Sequence, residues 1–446
     1  MTIARVLIAN RGEIAVRIVR TCRELGIETV VAVSTVDRDG MATELADRAV
    51  VIGPAHAADS YLRVDTIVQA ALGTGCDAIH PGYGFLAESP ALASATTGAG
   101  LRFVGPPASV IATAGDKLAA RALAQRAGLP VVPGREIATL AAAEAFAAEH
   151  GYPVLLKAAA GGGGRGIKLA GDLEQLRRHH ALARAEAGAA FGDDRLYIER
   201  LIATARHIEV QIAADDHGSV IHFGERDCST QRRYQKLVEE APAPALDPLL
   251  RAELLDAGVA FATAIGYRNL GTVEFVLDVA TGTFHFLECN CRIQVEHPVT
   301  EAVCGLDLIA LQLRLADGEP LGIRQQDVAF DGHAVECRLV AEDPAREHAP
   351  SPGRVTRFAV PVLPGLRVDT HCRDGTLIPP YYDSLMAKLI AHGRDRDAAL
   401  QTMGRALAGL QVQGVATNRE LLARIVADPR FIAAQLSTTW LQEASP

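Results

Sequence analysis

A chain of 446 residues, 49% hydrophobic and 22% charged, is globular and long enough for two or three domains, which excludes a disordered polypeptide. Its net charge of −9 supplies no basic field for nucleic acid or an anionic membrane surface. No apolar run approaches the roughly 20 residues of a membrane helix. Arg11 and Glu13 arrive too early for a signal-peptide core. None of the eight cysteines forms C-x-x-C, so neither a zinc ribbon nor a dithiol centre is indicated, and a reduced, cytoplasmic setting is expected.

The N-terminal part alternates strand and helix signals. Arg5–Asn10 is a short apolar run, and Glu13–Leu25 carries Ile14, Ile18, Val19 and Cys22 at helical spacing. Thr29–Ser34 reads as a second buried strand, Asp65–Leu72 as a helix and Ala78–His80 as a third strand. This predicts a doubly wound α/β domain with a parallel sheet. The turn NRGEIA has one glycine and no dinucleotide fingerprint. Ligands still favour the carboxyl ends of such strands, where His80-Pro-Gly-Tyr-Gly-Phe85 falls. Pro106-Pro107 and a helical stretch over Asp116–Ala127 read as a connector. A compact unit follows from Gly151 to about Arg200, with strands at Pro153–Ala158, Ile167–Ala170 and Leu196–Glu199 and one Ala-rich helix. From Ile208 onward the segments HIEVQIAAD, SVIHFGE, GTVEFVLD, TFHFLE and GHAVECRLV predict an α+β region of antiparallel hairpins.

Several segments carry chemistry. The stretch from Lys157 runs through Gly161, Gly162, Gly163, Gly164, Arg165 and Gly166. Consecutive glycines let backbone amides approach an anion together, and Lys157, Arg165 and Lys168 add positive charge. No G-K-[ST] follows, so it is not a Walker loop. A flexible hairpin tip is the plain alternative, but the flanking cations favour a phosphate-covering lid.

Gly271–Asp278 and Thr283–Glu288 are joined by Val279–Gly282, a hairpin turn. With Thr281 at its centre, Glu274 faces Glu288 at about 5 Å between Cβ atoms. Two such carboxylates repel unless a cation lies between them, and magnesium completed by substrate phosphates suits the pair. Read as an extended segment, FLECNCRIQVEH sends Glu288, Asn290, Arg292, Gln294 and Glu296 to one face. A solvated edge strand is the alternative, although an acid–amide–guanidinium–amide–acid ladder is unusually specific for one. Cys289 and Cys291 fall on the apolar face, where free cysteine packs as a small hydrophobe. The run from Arg226 to Lys236 holds four cations and reads equally as a solvated loop or an anion site. Arg338 reads as a paired strand arginine, and Asp383 as the cap of a helix over Ser384–Ile390.

Together these residues resemble the biotin carboxylase family of the ATP-grasp superfamily. IANRGEIAVRI, HPGYGFLAE, the Lys157 glycine loop, RDCSTQRR, VEEAPAP, RIQVEHPVTE, GHAVECR and PPYYDS occur in family order over essentially the whole chain. The resemblance implies an N-terminal doubly wound domain (1–113), a small mobile lid (130–203) and a C-terminal ATP-grasp and biotin carboxylase domain (204–446). It implies that ATP phosphorylates bicarbonate to carboxyphosphate and that released CO2 is captured by N1′ of biotin. Carried over by residue, Lys117 and Lys157 contact ATP phosphates, with Gly161–Gly166 as the closing loop. Glu199, Ile202, His207 and Gln231 fall at adenine and ribose. Glu274, Glu288 and Asn290 hold two Mg2+ ions, with Mn2+ as a substitute. Lys236, Arg292, Gln294 and the Val295 backbone hold bicarbonate, Glu296 is the general base, and Arg338 stabilises the biotin enolate. Tyr83 and Asp383 lie beside the biotin pocket. Tyr234 stands where many members have histidine, and Arg200 where lysine is frequent.

No Met-Lys-Met biotin acceptor occurs in the chain. The expected partners are therefore a separate biotin carboxyl carrier protein and a carboxyltransferase, in a homodimeric subunit of an acyl-CoA carboxylase, acetyl-CoA being the first acceptor to consider. A different ATP-grasp ligase joining an acyl phosphate to an amine would lack RIQVEHP together with Arg338. A nucleotide-sensing subunit with a dead site would lack the intact acids and cations.

Overall fold

The computed structural model describes residues 2–159 and 167–443. Strands β1 (Arg5–Ile8), β2 (Glu28–Ser34), β3 (Arg48–Gly53), β4 (Ala78–His80) and β5 (Arg102–Phe103) form a parallel sheet in the order β3-β2-β1-β4-β5. Leu7 and Val30 pack on one face with Ile67, while Val6, Ile8 and Val31 pack on the other with Ile14 and Ile18. Burial on both faces explains why these strands read as continuous apolar runs instead of alternating. The strand order reverses between β1 and β4, and the segment from His80 to Phe85 leaves the sheet at that switch point. The expected connector is two helices, Ala108–Gly115 and Lys117–Arg126. The Asp116 carboxylate caps the second by accepting from the Leu118 and Ala119 N–H groups, which sets Lys117 at its first position.

Strands β6 (Gly134–Ile137), β7 (Val154–Ala158), β8 (Ile167–Ala170) and β9 (Leu196–Arg200) form an antiparallel sheet in the order β6-β9-β7-β8. The helices Leu140–His150 and Leu173–Phe191 accompany it, and the unit has its own core around Phe146, Leu156, Leu176 and Ile198. Its first strand and first helix precede Gly151, so the unit is larger than the stretch from Gly151 to about Arg200 read from the strand pattern.

Eight further strands build one antiparallel sheet, and short strands elsewhere in this region pair off in three two-stranded sheets. The eight are β10 (Ala205–Ala214), β11 (Val220–Arg232), β12 (Gln235–Ala241), β13 (Asn269–Asp278), β14 (Thr283–Asn290), β15 (His333–Val340), β16 (Leu366–Thr370) and β17 (Leu385–Gly393). The order is β14-β13-β10-β11-β12-β15-β17-β16. Two sequence expectations change here. The cationic run from Arg226 to Lys236 is a hairpin, with Arg233 and Tyr234 at its tip in the left-handed region (φ 50° and 66°). Arg226 is fully buried and Tyr234 is exposed. Ser384–Ile390 is not a helix, because Leu385–Gly393 is zipped between β15 and β16, and sheet pairing overrides local preference. Asp383 accepts from the Leu385 N–H at 3.0 Å instead of capping a helix. Among the described residues no helix is long and apolar enough to cross a membrane.

Candidate active site

The site begins as one row of side chains across four strands. Arg226 pairs with Glu209, Glu209 with Glu274, and Glu274 with Glu288. Directly opposed residues of antiparallel strands share a face, so this register places three carboxylates side by side. The opposition of Glu274 and Glu288 holds for a reason the turn does not reveal. From Asp278↔Thr283 to Phe275↔Phe286 the pairing runs one residue short of that needed, and a bulge between Phe275 and Glu274 restores it. The bulge inserts Leu287 as the extra residue, re-aiming Glu288 at Glu274.

Lys236 of β12 reaches into this row. Its ammonium lies 2.7 Å from Glu209 Oε2, 3.1 Å from Glu274 Oε1 and 2.7 Å from Glu296 Oε1. Burial disfavours the charge, but the surrounding acids hold the lysine pKa well above its ordinary value. Glu274 also accepts from Asn290 Nδ2 (2.8 Å) and Gln294 Nε2 (3.0 Å), and His207 Nε2 lies 2.7 Å from its second oxygen. Burial opposes its ionisation, yet Lys236 and His207 keep its pKa well below the carboxylate range. Glu288 is the opposite case. Burial, and then repulsion by Glu274, push its pKa up, and it makes no hydrogen bond or ion pair among the described residues. An acid left unpaired beside an ionised one, with an amide oxygen at Asn290 nearby, is a hard-oxygen donor set that fits Mg2+.

Beyond Asn290 the chain leaves the sheet, so the strictly alternating segment ends there. The Cys291 N–H is taken by Glu88 Oε1 at 2.9 Å instead of a neighbouring strand. Glu296 then becomes the N-cap of the helix His297–Cys304, whose second residue, Pro298, suits a first turn. The polar residues nonetheless converge. Arg292 donates to Asn290 Oδ1 (3.0 Å), Gln294 Oε1 (2.7 Å) and Glu88 Oε2 (2.9 Å). Glu296 is fully buried, with Lys236 on one oxygen and Arg338 Nη2 on the other at 2.8 Å. Burial opposes its charge, but Lys236, Arg338 and Arg226 bring its pKa well below the usual range. Arg338 is indeed a paired strand arginine, its second carboxylate being Glu239 at 2.5 Å. Cys289 and Cys291 are buried among apolar side chains.

A second group borders Glu288. Lys157 on β7 pairs with Glu199 on β9. Lys117 has its pKa lowered by burial, opposed by Glu288 and reinforced by Lys157. Ile202 is buried in a small apolar cluster with Val132, Ala205 and Val276. Gln231 Nε2 lies 2.9 Å from His207 Nδ1. The six residues Gly161–Gly166, Arg165 included, lie outside the described residues. The Tyr83 hydroxyl donates to Glu13, and the Asp383 carboxylate accepts from the Leu385 N–H. Sequence reasoning missed Glu88, Glu209 and Glu239. Glu209 and Glu239 each sit within an apolar strand pattern, a position that an acid occupies only when paired.

Comparison with known proteins agrees with this geometry. Residues 2–111 match the family model of the biotin carboxylase N-terminal domain and 336–443 that of the biotin carboxylase C-terminal domain. Residues 116–324 match the carbamoyl-phosphate synthase L chain, ATP binding domain. A biotin carboxylase of Pseudomonas aeruginosa is 49% identical over 442 residues, covering 98% of each chain. The chain belongs to the biotin carboxylase family. Among solved structures, the biotin carboxylase domain dimer of Hydrogenobacter thermophilus 2-oxoglutarate carboxylase, in complex with MgADP, ADP and bicarbonate, superposes on this biotin carboxylase with a TM-score of 0.96. It is 44% identical and is covered to 98%, against 99% of this chain. The biotin carboxylase subunit of a pyruvate carboxylase gives a TM-score of 0.84 at 46% identity, with 99% of this chain and 98% of its own covered.

Proposed function

We propose that the chain uses ATP, Mg2+ and bicarbonate to carboxylate biotin, by way of carboxyphosphate, yielding ADP and phosphate. The observation that carries the reading is the Lys236 ammonium shared by Glu274 and Glu296, with Arg338 on the other Glu296 oxygen. One cation thereby links the acid suited to a metal with the acid suited to proton transfer. Lys117 and Lys157, with the Gly161–Gly166 segment, hold the ATP phosphates, and Glu199, Ile202, His207 and Gln231 hold the adenosine. Glu274, Glu288 and Asn290 would hold Mg2+, which when bound neutralises phosphate charge.

Bicarbonate binds to Arg292, Lys236, Gln294 and the Val295 N–H. In the ion-paired state Glu296 is a poor base, because two cations stabilise its charge. An arriving anion competes for Lys236 and so raises the proton affinity of Glu296 at the moment a proton must be removed. Arg338 then offers a fixed cation to the biotin enolate in a site shielded from water, with Tyr83 and Asp383 flanking the biotin.

The wider reading places the chain in the cytoplasm, where eight free thiols are stable. It functions as a homodimer with a separate biotinylated carrier and carboxyltransferase, in an acyl-CoA carboxylase whose first candidate acceptor is acetyl-CoA. The reaction is tested by ADP formation with free biotin. Turnover that requires bicarbonate and rises with biotin supports it, and indifference to both refutes it. Capture of the biotinylated partner and its companion transferase tests the choice of acceptor.

A further inference from the structure

Behind the proposed base lies a lysine to which the mechanism above gives no part. Lys388 on β17 has no exposed surface. Its ammonium donates to the Val295 carbonyl at 2.9 Å and lies 3.2 Å from Glu13 Oε2 and 4.0 Å from Asp369 Oδ2. It also sits 6.0 Å from the centre of the Tyr83 ring, whose hydroxyl bonds the other oxygen of Glu13. A buried lysine needs an anion, and Glu13 and Asp369 supply that need. The shortest contact, however, is to neither acid but to a backbone carbonyl.

That carbonyl belongs to the segment between Asn290 and the helix at His297, which has no sheet ladder to hold it. Its backbone is held instead by Glu88 on the Cys291 N–H, Arg292 on the Ile293 carbonyl, His297 on the Gln294 carbonyl, the Val299 N–H on the Glu296 carbonyl, and Lys388 on the Val295 carbonyl. The Val295–Glu296 peptide is planar, so holding its oxygen fixes the Glu296 nitrogen and Cα. Register adds a second point. Lys388 is directly opposite Arg338 on the neighbouring strand, and Arg338 grips the Glu296 carboxylate. One rung of two neighbouring strands therefore holds both the Val295–Glu296 peptide and the Glu296 side chain. Glu13 lies on the helix Gly12–Glu24 and Tyr83 follows β4, so the same ammonium ties the N-terminal sheet's switch point to that residue.

We propose that Lys388 is a positioning residue for biotin carboxylation, clamping the Val295–Glu296 peptide to the Glu13–Tyr83 pair so that Glu296 meets bicarbonate while Tyr83 faces biotin. The proposal rests on the assignment of Glu296 as the base. The competing role is a counter-ion for Glu13 alone, and a double-mutant cycle separates the two. Lys388→Met, Glu13→Gln and the charge-balanced Glu13→Gln/Lys388→Met are compared by ADP formation with bicarbonate and free biotin. ATP binding is followed separately by nucleotide-induced thermal stabilisation.

Lys388→Met is expected to lower kcat about 10²-fold, the scale of a misplaced catalytic group, with the KM for ATP and the nucleotide-induced stabilisation at wild-type level. The double variant is expected to stay as slow as Lys388→Met, because charge balance does not replace the carbonyl clamp. It carries the test by itself if the single variant does not fold. Recovery of the double variant to the rate of Glu13→Gln overturns the proposal, as does wild-type turnover in Lys388→Met. If instead Glu296→Gln retains turnover, the assignment of the base fails, independently of what Lys388 does.

Discussion

Replacing Glu296 by glutamine separates proton transfer from nucleotide binding. The wild-type carboxylate accepts from Lys236 on Oε1 and from Arg338 on Oε2, at 2.7 and 2.8 Å. Glutamine has a single acceptor oxygen, so one of the two cations must face an NH2 group. Neither cation is stranded, because Lys236 keeps Glu209 and Glu274 and Arg338 keeps Glu239. The stability cost is therefore that of one buried charge-assisted hydrogen bond, roughly 1.5–3 kcal/mol, and not the larger penalty of an orphaned charge. The chemical cost is the loss of the base, about 10²–10⁴ in rate, or roughly 3–5 kcal/mol of barrier. Bicarbonate-dependent ADP formation with free biotin measures the rate, and nucleotide titration measures the affinity. The expected result is collapse of turnover with ATP affinity largely intact. Loss of nucleotide binding in step with turnover, or a rate close to wild type, would refute the assigned role.

Three further outcomes are expected. Burial lifts the Glu13 carboxyl up to about 7, against the pull of Lys388. A raised carboxyl pKa gives stability that is complete below the unfolded value of about 4.3 and lost as pH rises through 7, worth roughly 4 kcal/mol. Glu13→Gln should accordingly flatten the fall in melting temperature across that window, and an unchanged slope would contradict the raised value. Because Glu274 and Glu288 repel without a cation, Glu288→Gln should stabilise the metal-free protein and weaken Mg2+-dependent nucleotide binding at least about tenfold. Calorimetry with and without Mg2+ checks both halves of that statement. Cys291→Ser should cost about 1–2 kcal/mol by placing a hydroxyl in an apolar core, with turnover at wild-type level. A large loss of activity in a stably folded Cys291→Ser protein would give the thiol a role it lacks here.

Much of this arrangement is legible locally. The alternation of apolar and polar residues over Gly271–Asp278, and again from Glu288 to Asn290 beyond the bulge at Leu287, follows from strand geometry, which sends successive side chains to opposite faces. That is why Glu274, Glu288 and Asn290 separate from Cys289 and Cys291 without any knowledge of the fold. The apolar runs of β1 and β2 announce a sheet buried on both faces for the same reason. The helix assigned to Ser384–Ile390 failed because MAKLIAHG has no strand alternation of its own. Its extended form comes from pairing with β15 and β16, which are supplied by distant parts of the chain.

Alternation could say which residues share a face, but not how far that face extends or what lies opposite it. The opposition of Glu274 to Glu288 depends on the bulge at Leu287, and a turn-centred count reaches the same pairing without seeing it. Past Asn290 the chain leaves the sheet, and Arg292, Gln294 and Glu296 converge because Glu88, Lys236, Arg338 and Lys388 draw them in from four other segments. The same long-range contacts set the charge states, since burial and neighbouring ions, not residue type, hold Glu274 and Glu296 ionised and push Glu288 and Glu13 up. The sequence by itself determined which acids, amides and cations are present and which of them alternate, because those properties are covalent and local. Only the tertiary structure decided which cation meets which acid, because that depends on strands and loops brought together from distant positions, as Arg17 and Glu301 are (|i−j| = 284).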